Sequence, residues 1–154
     1  MKILMVCLGN ICRSPMAEGW MLHKIAQYDL QIEVDSAGTA NYHVGEKPDS
    51  RMRKHALEYG VSIEQLRARQ FHVSDFDSFD IIFVMDQSNK ANIEHLARNE
   101  QDKSKIHLYL NELNPGKNEE VPDPYYGGSS DFRFVIELLE RATEAFLRNK
   151  NLIS

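Results

Sequence analysis

Residues 3–20, ILMVCLGNICRSPMAEGW, join an apolar run to a short loop with two cysteines and then to a second periodic segment. The apolar run from Ile3 to Val6 predicts a β-strand that is buried on both faces. Ser14 and Pro15 predict a helix, with Ser14 as its N-cap and Pro15 in the first helical position, where a missing N–H costs nothing. The stretch therefore predicts a strand, a loop that carries both cysteines, and a helix.

The rest of the chain continues this alternation of strands and helices. Further strands are predicted around Ile32 and Val34, over Ile81–Met85 and over Ile106–Leu110. Helices are predicted from Ser50 to Tyr59 with Gly60 as the stop, after MDQSN at residues 85–89, and near the end of the chain. In the last helix one apolar stripe recurs at three- and four-residue spacing, and Asp131 is placed to cap it. The stripe consists of Phe132, Val135, Leu139, Ala142 and Phe146.

This order of elements predicts the fold class. Alternating strands and helices favour an α/β fold, with a parallel sheet, right-handed crossovers and helices on both faces. The chain of 154 residues has the usual size of one domain, so we expect a single domain over residues 1–154. In such sheets ligands bind beyond the carboxyl ends of the strands, which is where the cysteine loop lies.

Composition limits the partners that we expect. The chain has 18 Lys and Arg against 23 Asp and Glu and no basic run, so nucleic acid is not an expected partner. No window approaches the ~20 apolar residues of a membrane span, and no secretory cleavage pattern follows the first strand. Cys7 and Cys12 lie in one loop, which suits a reactive thiol pair in a reducing compartment better than a disulfide framework. We therefore expect a cytoplasmic protein without membrane partners.

The loop between Cys7 and Arg13 has the features of an anion site. Backbone N–H groups and the positive end of a helix dipole converge where a strand passes through a loop into a helix. The loop lacks the second glycine and the lysine of nucleotide-binding loops, since Gly9 stands alone. A thiolate at Cys7 would be stabilised by the loop amides and by Arg13, whose guanidinium can bind two phosphate oxygens. This arrangement predicts in-line attack by sulfur on phosphorus.

Simpler interpretations exist for each of these residues. A cysteine followed at six residues by an arginine arises by chance in many proteins, and cysteine is commonly buried. Asn10 suits a left-handed turn and Ser14 a helix cap, although both side chains can also hydrogen-bond within the loop. Asp123 lies in EEVPDPYYGG, where Asp-Pro also forms ordinary turns. Near the loop, Asp123 could protonate a leaving oxygen, and the next two tyrosines could form the walls of a slot for a flat ring.

Taken together, VCLGNICRSPMAE and DPYYG resemble the low-molecular-weight protein tyrosine phosphatase family. The segments VDSAGT, FDSFDIIFVMDQSN and DPYYGGSSDF follow in the order of that family, so the resemblance covers the whole chain. The resemblance implies a four-stranded parallel sheet of flavodoxin-like topology and a phosphocysteine mechanism without metal or cofactor. It implies that Cys7 is the nucleophile, Arg13 the phosphate clamp, and Asp123 the general acid and then the base.

The resemblance also implies roles for the surrounding residues. Asn10, Ser14 and Ser36 would form a hydrogen-bond network that shapes the loop, and Cys12 would trap oxidised Cys7 as a reversible disulfide. Phosphate would be bound in the loop. The residues expected to bind phosphate or border the substrate slot are Leu8, Gly9, Asn10, Ile11, Cys12, Ser14, Tyr42, Tyr125 and Tyr126.

Some positions depart from the family or have weaker expectations. A histidine that supports the loop asparagine in many eukaryotic members is Gln65 here, so that support is either replaced or absent. Tyr42 lies in the most variable loop of the family, so substrate choice is not implied. Asp86 is expected first as a helix cap and second as an orienting residue for Arg13. The six histidines show no metal-ligand spacing and receive no role.

The resulting hypothesis is hydrolysis of phosphotyrosine in proteins, with a tyrosine-phosphorylated protein as partner, a tyrosine kinase among the candidates. We expect a monomer or weak dimer. Three alternatives stay open: a two-cysteine arsenate reductase that uses glutathione, a protein-arginine phosphatase, and a phosphate-binding module without catalysis. Arginine phosphatases of this kind carry threonine where this chain has Ile11, and the bulkier apolar residue favours an aryl phosphate.

Overall fold

The four strands form one parallel sheet. The structure is a computed structural model that describes residues 1–154. Its strands are β1 (Lys2–Cys7), β2 (Glu33–Gly38), β3 (Ile81–Val84) and β4 (Ile106–Leu108). Its helices are α1 (Arg13–Tyr28), α2 (Ser50–Glu58), α3 (Asp75–Ser78), α4 (Gln87–Leu96), α5 (Glu100–Ser104) and α6 (Ser129–Asn149). The strand order is β2-β1-β3-β4 with every pair parallel, which confirms the predicted fold class.

Alternate residues of β1 face two separate apolar layers. Ile3, Met5 and Cys7 belong to the larger layer, which α1 and α6 cover. Leu4 and Val6 belong to the smaller layer on the opposite face, together with residues of α3 and α4. Side chains of a strand alternate between the two faces of a sheet, so an unbroken apolar run is the pattern that a strand covered on both sides requires. The nucleophile candidate Cys7 thus faces α1 and α6.

The predicted strands exist, but some of their ends differ. The expected strand through Leu110 is wrong at its end, because β4 stops at Leu108 and Tyr109–Asn111 form a 3-10 turn. The strand predicted to reach Met85 ends at Val84. Burial continues past both strands, and an apolar run by itself does not distinguish a strand from a buried turn. The short helices α3 and α5 were not predicted, because four or five residues are too few to show a helical period.

The start of α1 also differs from the prediction. Ser14 was expected to be the N-cap, but the helix begins at Arg13 and Cys12 occupies the cap position without a side-chain hydrogen bond. The Ser14 hydroxyl instead contacts Cys7 and Asn10. Pro15 lies in the third helical position, where its lack of an N–H still removes no bond of the helix. A local capping pattern has therefore been overridden by contacts within the loop.

The other helix signals agree more closely with the structure. Gly60 follows α2 with a φ of 78°, the left-handed conformation that favours glycine after a helix. Asp86 caps α4 as predicted, since its Oδ1 accepts the Asn89 N–H at 2.7 Å. Asp131 lies in the first turn of α6 and not at its N-cap, and its carboxylate accepts the N–H of Gly128, which is the N-cap. The apolar stripe of α6 is buried as predicted.

Packing of α1 against α6 closes the larger apolar layer. The indole N–H of Trp20 on α1 donates to the carbonyl of Ile136 on α6 at 2.9 Å. Nearby, Lys24 of α1 forms an ion pair with Glu144 of α6 at 2.7 Å. These contacts fix the helix that follows the cysteine loop against the helix that follows Asp123. No helix of the fold is both long enough and apolar enough to traverse a bilayer.

Candidate active site

The loop from Cys7 to Arg13 lies at the carboxyl end of β1. We call residues 7–13 the Cys7–Arg13 loop. Its path runs against the end of β2, where Thr39 N–H donates to the Cys7 carbonyl at 2.9 Å. A Cβ atom on Gly38 would lie 2.7 Å from the Leu8 carbonyl oxygen, so only glycine allows this close approach. The loop is therefore positioned by backbone contacts with the neighbouring strand.

Cys7 is buried at the base of this loop, with donors aimed at its sulfur. Its Sγ lies 3.0 Å from the Ser14 hydroxyl and 3.5 Å from the Ser14 backbone N–H. Asn10 Nδ2 donates to the same hydroxyl at 2.8 Å, which leaves the proton of Ser14 free to point at sulfur. The Ser14 hydroxyl and backbone N–H are thus both placed to donate to this sulfur.

Asn10 holds the loop from behind. Its φ of 58° is the left-handed turn conformation that the sequence indicated. Its Nδ2 donates also to the Ser36 hydroxyl at 2.9 Å, and its Oδ1 accepts the backbone N–H of Arg69 at 3.0 Å. Asn10, Ser14 and Ser36 thus meet in one buried network, as the family resemblance implied.

Part of the support of Asn10 comes from residues that the sequence did not indicate. Gln65 is exposed and takes no part in the network, whereas the Arg69 amide provides the hydrogen bond to Asn10. Ser36 donates in turn to Glu18 Oε1 at 2.6 Å. Burial raises the pKa of Glu18 to about 7, although the Ser36 hydrogen bond opposes this rise. The sequence could have indicated Glu18, because it is an acidic residue on the apolar face of the first helix.

Arg13 is buried beside the cysteine and is held by the ends of two other segments. Its Nη1 donates to Asp86 Oδ2 at 2.6 Å and to the Val121 carbonyl at 3.1 Å. Burial by itself would lower the pKa of Arg13, but the charge of Cys7 and the Asp86 carboxylate outweigh this effect and raise it. Asp86 therefore caps α4 and orients Arg13, the two roles that were expected of it.

Asp123 lies on the loop before α6 and faces Arg13. Its Oδ2 is 3.6 Å from Arg13 Nη2, and its Oδ1 accepts the Tyr125 N–H at 3.1 Å. The Asp123 side chain is 41% exposed, so its carboxyl group is accessible to a ligand in the cavity. A thiol, a guanidinium and a carboxyl group from two distant segments are thus arranged around one opening.

That opening is a cavity of about 290 Å³. Most of the predicted binding residues line it, but Asn10 and Ser14 do not and act behind the loop. One lining residue was missed: His43 packs against Gly9, and its Nδ1 lies 2.9 Å from Glu46 Oε2. The lining consists of Cys7, Leu8, Gly9, Ile11, Cys12, Arg13, Tyr42, His43, Asp123, Tyr125 and Tyr126.

The walls of the cavity are aromatic and its base contains the second cysteine. The rings of Tyr125 and Tyr126 are 4.9 Å apart and nearly perpendicular, and Tyr126 is 94% exposed at the rim. Tyr42 also lines the cavity and is exposed. Cys12 is buried and forms no disulfide, and burial raises the pKa of its thiol, so the thiol is uncharged at neutral pH.

No group of three or more His, Cys, Asp or Glu side chains is arranged to hold a metal ion.

Known proteins resemble this chain in both sequence and fold. The family model described as low molecular weight phosphotyrosine protein phosphatase matches residues 2–153. A protein of that name from Schizosaccharomyces pombe is 41% identical over 151 residues, which cover 96% of each chain. The crystal structure of a protein tyrosine phosphatase from Entamoeba histolytica superposes with a TM-score of 0.89, at 42% identity and 99% coverage of both chains.

A second structural neighbour carries a different name. The crystal structure of a Drosophila arginine phosphatase superposes with a TM-score of 0.90, at 34% identity and with 97% of this chain and 98% of that chain covered. The same fold is thus shared by proteins named for two phosphorylated side chains. The match over nearly the whole chain shows that this protein belongs to the low-molecular-weight phosphotyrosine protein phosphatase family, a family of hydrolases.

Proposed function

We propose that this protein hydrolyses phosphotyrosine in proteins through a cysteinyl-phosphate intermediate. The observation that supports this most directly is the arrangement of Cys7, Arg13 and Asp123 around one cavity, with Arg13 Nη2 only 3.6 Å from Asp123 Oδ2. A phosphate bound by Arg13 and the loop amides has sulfur on one side and the carboxyl group on the other. In-line displacement requires this placement of nucleophile and leaving group.

In the first step the Cys7 thiolate attacks phosphorus and forms a sulfur–phosphorus bond, while the bond between phosphorus and the phenolic oxygen of the tyrosyl ester breaks. Asp123 gives its proton to the departing phenolate oxygen, which leaves poorly when it is unprotonated. Arg13 and the loop N–H groups stabilise the charge on the equatorial oxygens. The products are an unphosphorylated tyrosine side chain in the substrate protein and a phosphoryl group bonded to Cys7.

In the second step water attacks the phosphocysteine. Asp123, now a carboxylate, accepts a proton from that water, and the sulfur–phosphorus bond breaks to return the Cys7 thiolate and inorganic phosphate. The Ser14 hydroxyl, 3.0 Å from Sγ, is placed to donate to the departing sulfur. The Ser14 hydroxyl can therefore stabilise the sulfur of Cys7 both as the nucleophile of the first step and as the leaving group of the second.

The walls of the cavity favour a flat aryl phosphate. Ile11 and Leu8 present apolar surface on the loop side, and Tyr125 and Tyr126 present rings on the other. A phenyl ring between them buries apolar surface and makes aromatic contacts. Phosphoarginine is the second candidate substrate, because one structural neighbour is named an arginine phosphatase. The apolar Ile11 opposes it, since a guanidinium carries donors that this side chain cannot bind.

The physiological setting follows from the same chemistry. The substrate would be a tyrosine-phosphorylated protein, and a tyrosine kinase that carries such a group belongs to this class. Cys7 and Cys12 are both free thiols in one site, which suits a reducing compartment, so we place the protein in the cytoplasm. The exposed rim residues Tyr42 and Tyr126 are positioned to contact the substrate protein around its phosphotyrosine.

Cys12 gives the site a means of surviving oxidation. Peroxide transfers one oxygen atom to the Cys7 thiolate, which gives a sulfenic acid, and the other oxygen of the peroxide leaves as hydroxide. The Cys12 thiol then condenses with the sulfenic acid to form a disulfide and water. A dithiol reduces this bond and restores both cysteines. The neutral Cys12 thiol competes poorly as a nucleophile in the resting enzyme, so attack on substrate is left to Cys7.

The test is phosphate release from three matched peptides that carry phosphotyrosine, phosphoserine or phosphoarginine, with EDTA present and with Cys7→Ser measured beside the wild type. We expect Cys7-dependent release from the phosphotyrosine peptide alone. Faster release from the phosphoarginine peptide would assign the second candidate activity. No Cys7-dependent release from any peptide would reject both and leave the cavity with a thiol-redox or phosphate-binding role.

A further inference from the structure

The loop that carries Asp123 has few contacts in its middle. At one end Val121 N–H donates to the Met85 carbonyl at 2.8 Å, and at the other end Gly128 joins the first turn of α6. Between these ends only Pro124 is buried. The Tyr125 ring, however, lies beside Arg51 of α2, whose guanidinium carbon is 5.4 Å from the ring centroid. A cation at this distance from an aromatic face is attracted to it.

Arg51 is itself fixed from two other directions. The Asp49 carboxylate accepts the Arg51 backbone N–H at 2.8 Å, Nε at 3.1 Å and Nη2 at 2.9 Å. The guanidinium carbon also lies 4.7 Å from the ring centroid of Phe132, which is fully buried at the start of α6. Arg51 therefore lies between a core ring that cannot move freely and the ring of Tyr125. A planar guanidinium held in this way keeps one orientation.

The same small unit is attached to the loop of the nucleophile. The backbone N–H of Asp49 donates to the Ile11 carbonyl at 2.8 Å, inside the Cys7–Arg13 loop. On the other side, Tyr125 N–H donates to Asp123 Oδ1 at 3.1 Å. A continuous set of contacts thus runs from Ile11 through Asp49, Arg51 and Tyr125 to the carboxyl group of Asp123.

We propose that Arg51 is a positioning residue that holds the Asp123 loop over the Cys7–Arg13 loop. This inference rests on the proposed function, because it assigns Arg51 a part in the placement of the general acid. Arg51 touches no reacting atom and acts through the face of Tyr125. Its removal leaves the thiol and the guanidinium of Arg13 in place and frees the segment that carries the acid.

The kinetic test compares two esters in the variant Arg51→Ala. On a phosphotyrosine peptide, whose leaving group needs a proton, kcat/KM is expected to fall about 3- to 10-fold, which is the free energy of a cation–π contact expressed as a ratio of rates. On an activated aryl phosphate, whose leaving group departs unprotonated, kcat/KM is expected to change less than about twofold. The comparison uses kcat/KM because it reports the first step and excludes hydrolysis of the phosphocysteine, in which Asp123 serves both esters as the base. Equal falls of kcat/KM on both esters would overturn the proposal.

Two further measurements separate positioning from simple loss of structure. Arg133→Ala is the matched control, because Arg133 is an exposed arginine of α6 that pairs with Glu58 and is not in contact with Asp123 or Tyr125. This control is expected to keep both rates. Arg51→Ala in a Tyr125→Phe background should retain the full effect, whereas in a Tyr125→Ala background it should add less than about twofold. Additive losses in the Tyr125→Ala background would show that Arg51 acts by another route.

Amide hydrogen exchange tests the contact without any turnover. Loss of the Arg51 side chain is expected to speed exchange at the Tyr125 N–H about 3- to 10-fold while the amides of β1 keep wild-type protection. Unchanged exchange at Tyr125 in folded Arg51→Ala and Arg51→Gln would overturn the positioning role. If the wild type failed to hydrolyse phosphotyrosine but Tyr125 exchange still accelerated, the proposed function would be wrong and the role of Arg51 in holding this loop would stand.

Discussion

Asp86 and Arg13 meet at 2.6 Å through one carboxylate oxygen, while the other oxygen of Asp86 caps α4. One side chain at the end of β3 therefore fixes both a helix and the cation of the cavity. Because Arg13 is buried, its charge needs this partner in the folded state. Arg13 is placed by the sheet and α4 as well as by its own loop.

Replacing Asp86 with Asn separates these two functions. Asn is a good N-cap, so the cap of α4 is expected to remain, whereas Arg13 loses a charged acceptor. We expect the free energy of unfolding to fall by about 1.5–3 kcal/mol and kcat/KM to fall about tenfold. Urea unfolding and steady-state kinetics measure the two effects. Asp86→Ala, which loses the cap as well, is expected to cost about 1 kcal/mol more, and equal stability of the two variants would contradict this division of roles.

Replacing Asp123 with Asn tests the general acid. An amide cannot supply the proton, so turnover of phosphotyrosine is expected to fall by roughly 10²- to 10⁴-fold. An aryl phosphate whose leaving group departs unprotonated should lose much less. The comparison of kcat/KM for the two esters provides the measurement, because kcat/KM reports the first step and excludes the hydrolysis of phosphocysteine that both esters share. If both rates fell by the same factor, Asp123 would have no role as the acid, and its contact with Arg13 would be structural only.

Glu18 predicts a pH dependence of stability. Its pKa rises from 4.5 to about 7 on folding, so between these values the native state binds more protons than the unfolded chain. The contribution of Glu18 to stability is therefore greatest below pH 4.5 and falls as the pH rises toward 7. The loss amounts to about 3 kcal/mol by the usual conversion of pKa to free energy.

The measurement is urea unfolding of Glu18→Gln and the wild type at several pH values across this interval. The difference in unfolding free energy between the two proteins should move in favour of Glu18→Gln as the pH rises. Glu33→Gln, at an exposed glutamate of β2, is the control and should show no such trend. A constant difference between Glu18→Gln and the wild type would mean that Glu18 is not protonated on folding.

Replacing Cys12 with Ser tests the protection of the nucleophile. After mild peroxide, the wild type is expected to lose activity, to lose two hydrogen atoms by intact mass, and to recover fully with a dithiol. The Cys12→Ser variant should be inactivated with gain of oxygen and should recover only in part. Equal recovery of both proteins would show that Cys12 does not protect Cys7.

The sequence predicts that Cys7 and Arg13 lie together because both belong to one contiguous loop, and the structure places both in the wall of one cavity. Cys7 and Arg13 are related by local spacing, and the resemblance to a family places Asp123 beside them. Glu18 and Arg69 were missed for physical reasons. Glu18 reaches Ser36 only after α1 docks on the sheet, and Arg69 contributes its backbone amide, which no side-chain pattern encodes. Tertiary contacts decide both positions.

Ser14 illustrates the opposite error. Its position before a proline predicts an N-cap, because that is the best use of a serine hydroxyl when only local structure is considered. In the fold, the same hydroxyl accepts a hydrogen bond from Asn10 and faces the sulfur of Cys7, and the helix starts two residues earlier than a cap at Ser14 would place it. The contacts of Ser14 with Asn10 and Cys7 therefore outweigh its local preference to cap the helix.

The chain contains a single tryptophan, Trp20, whose indole N–H is bonded to Ile136 across the junction of α1 and α6. This indole is buried, so its fluorescence reports directly on that junction. One of the two helices begins at Arg13 and the other follows Asp123, so their separation pulls the cation away from the carboxyl group. The protein therefore carries an intrinsic optical probe of whether the two halves of its active site are assembled, with no need for a dye or an added label.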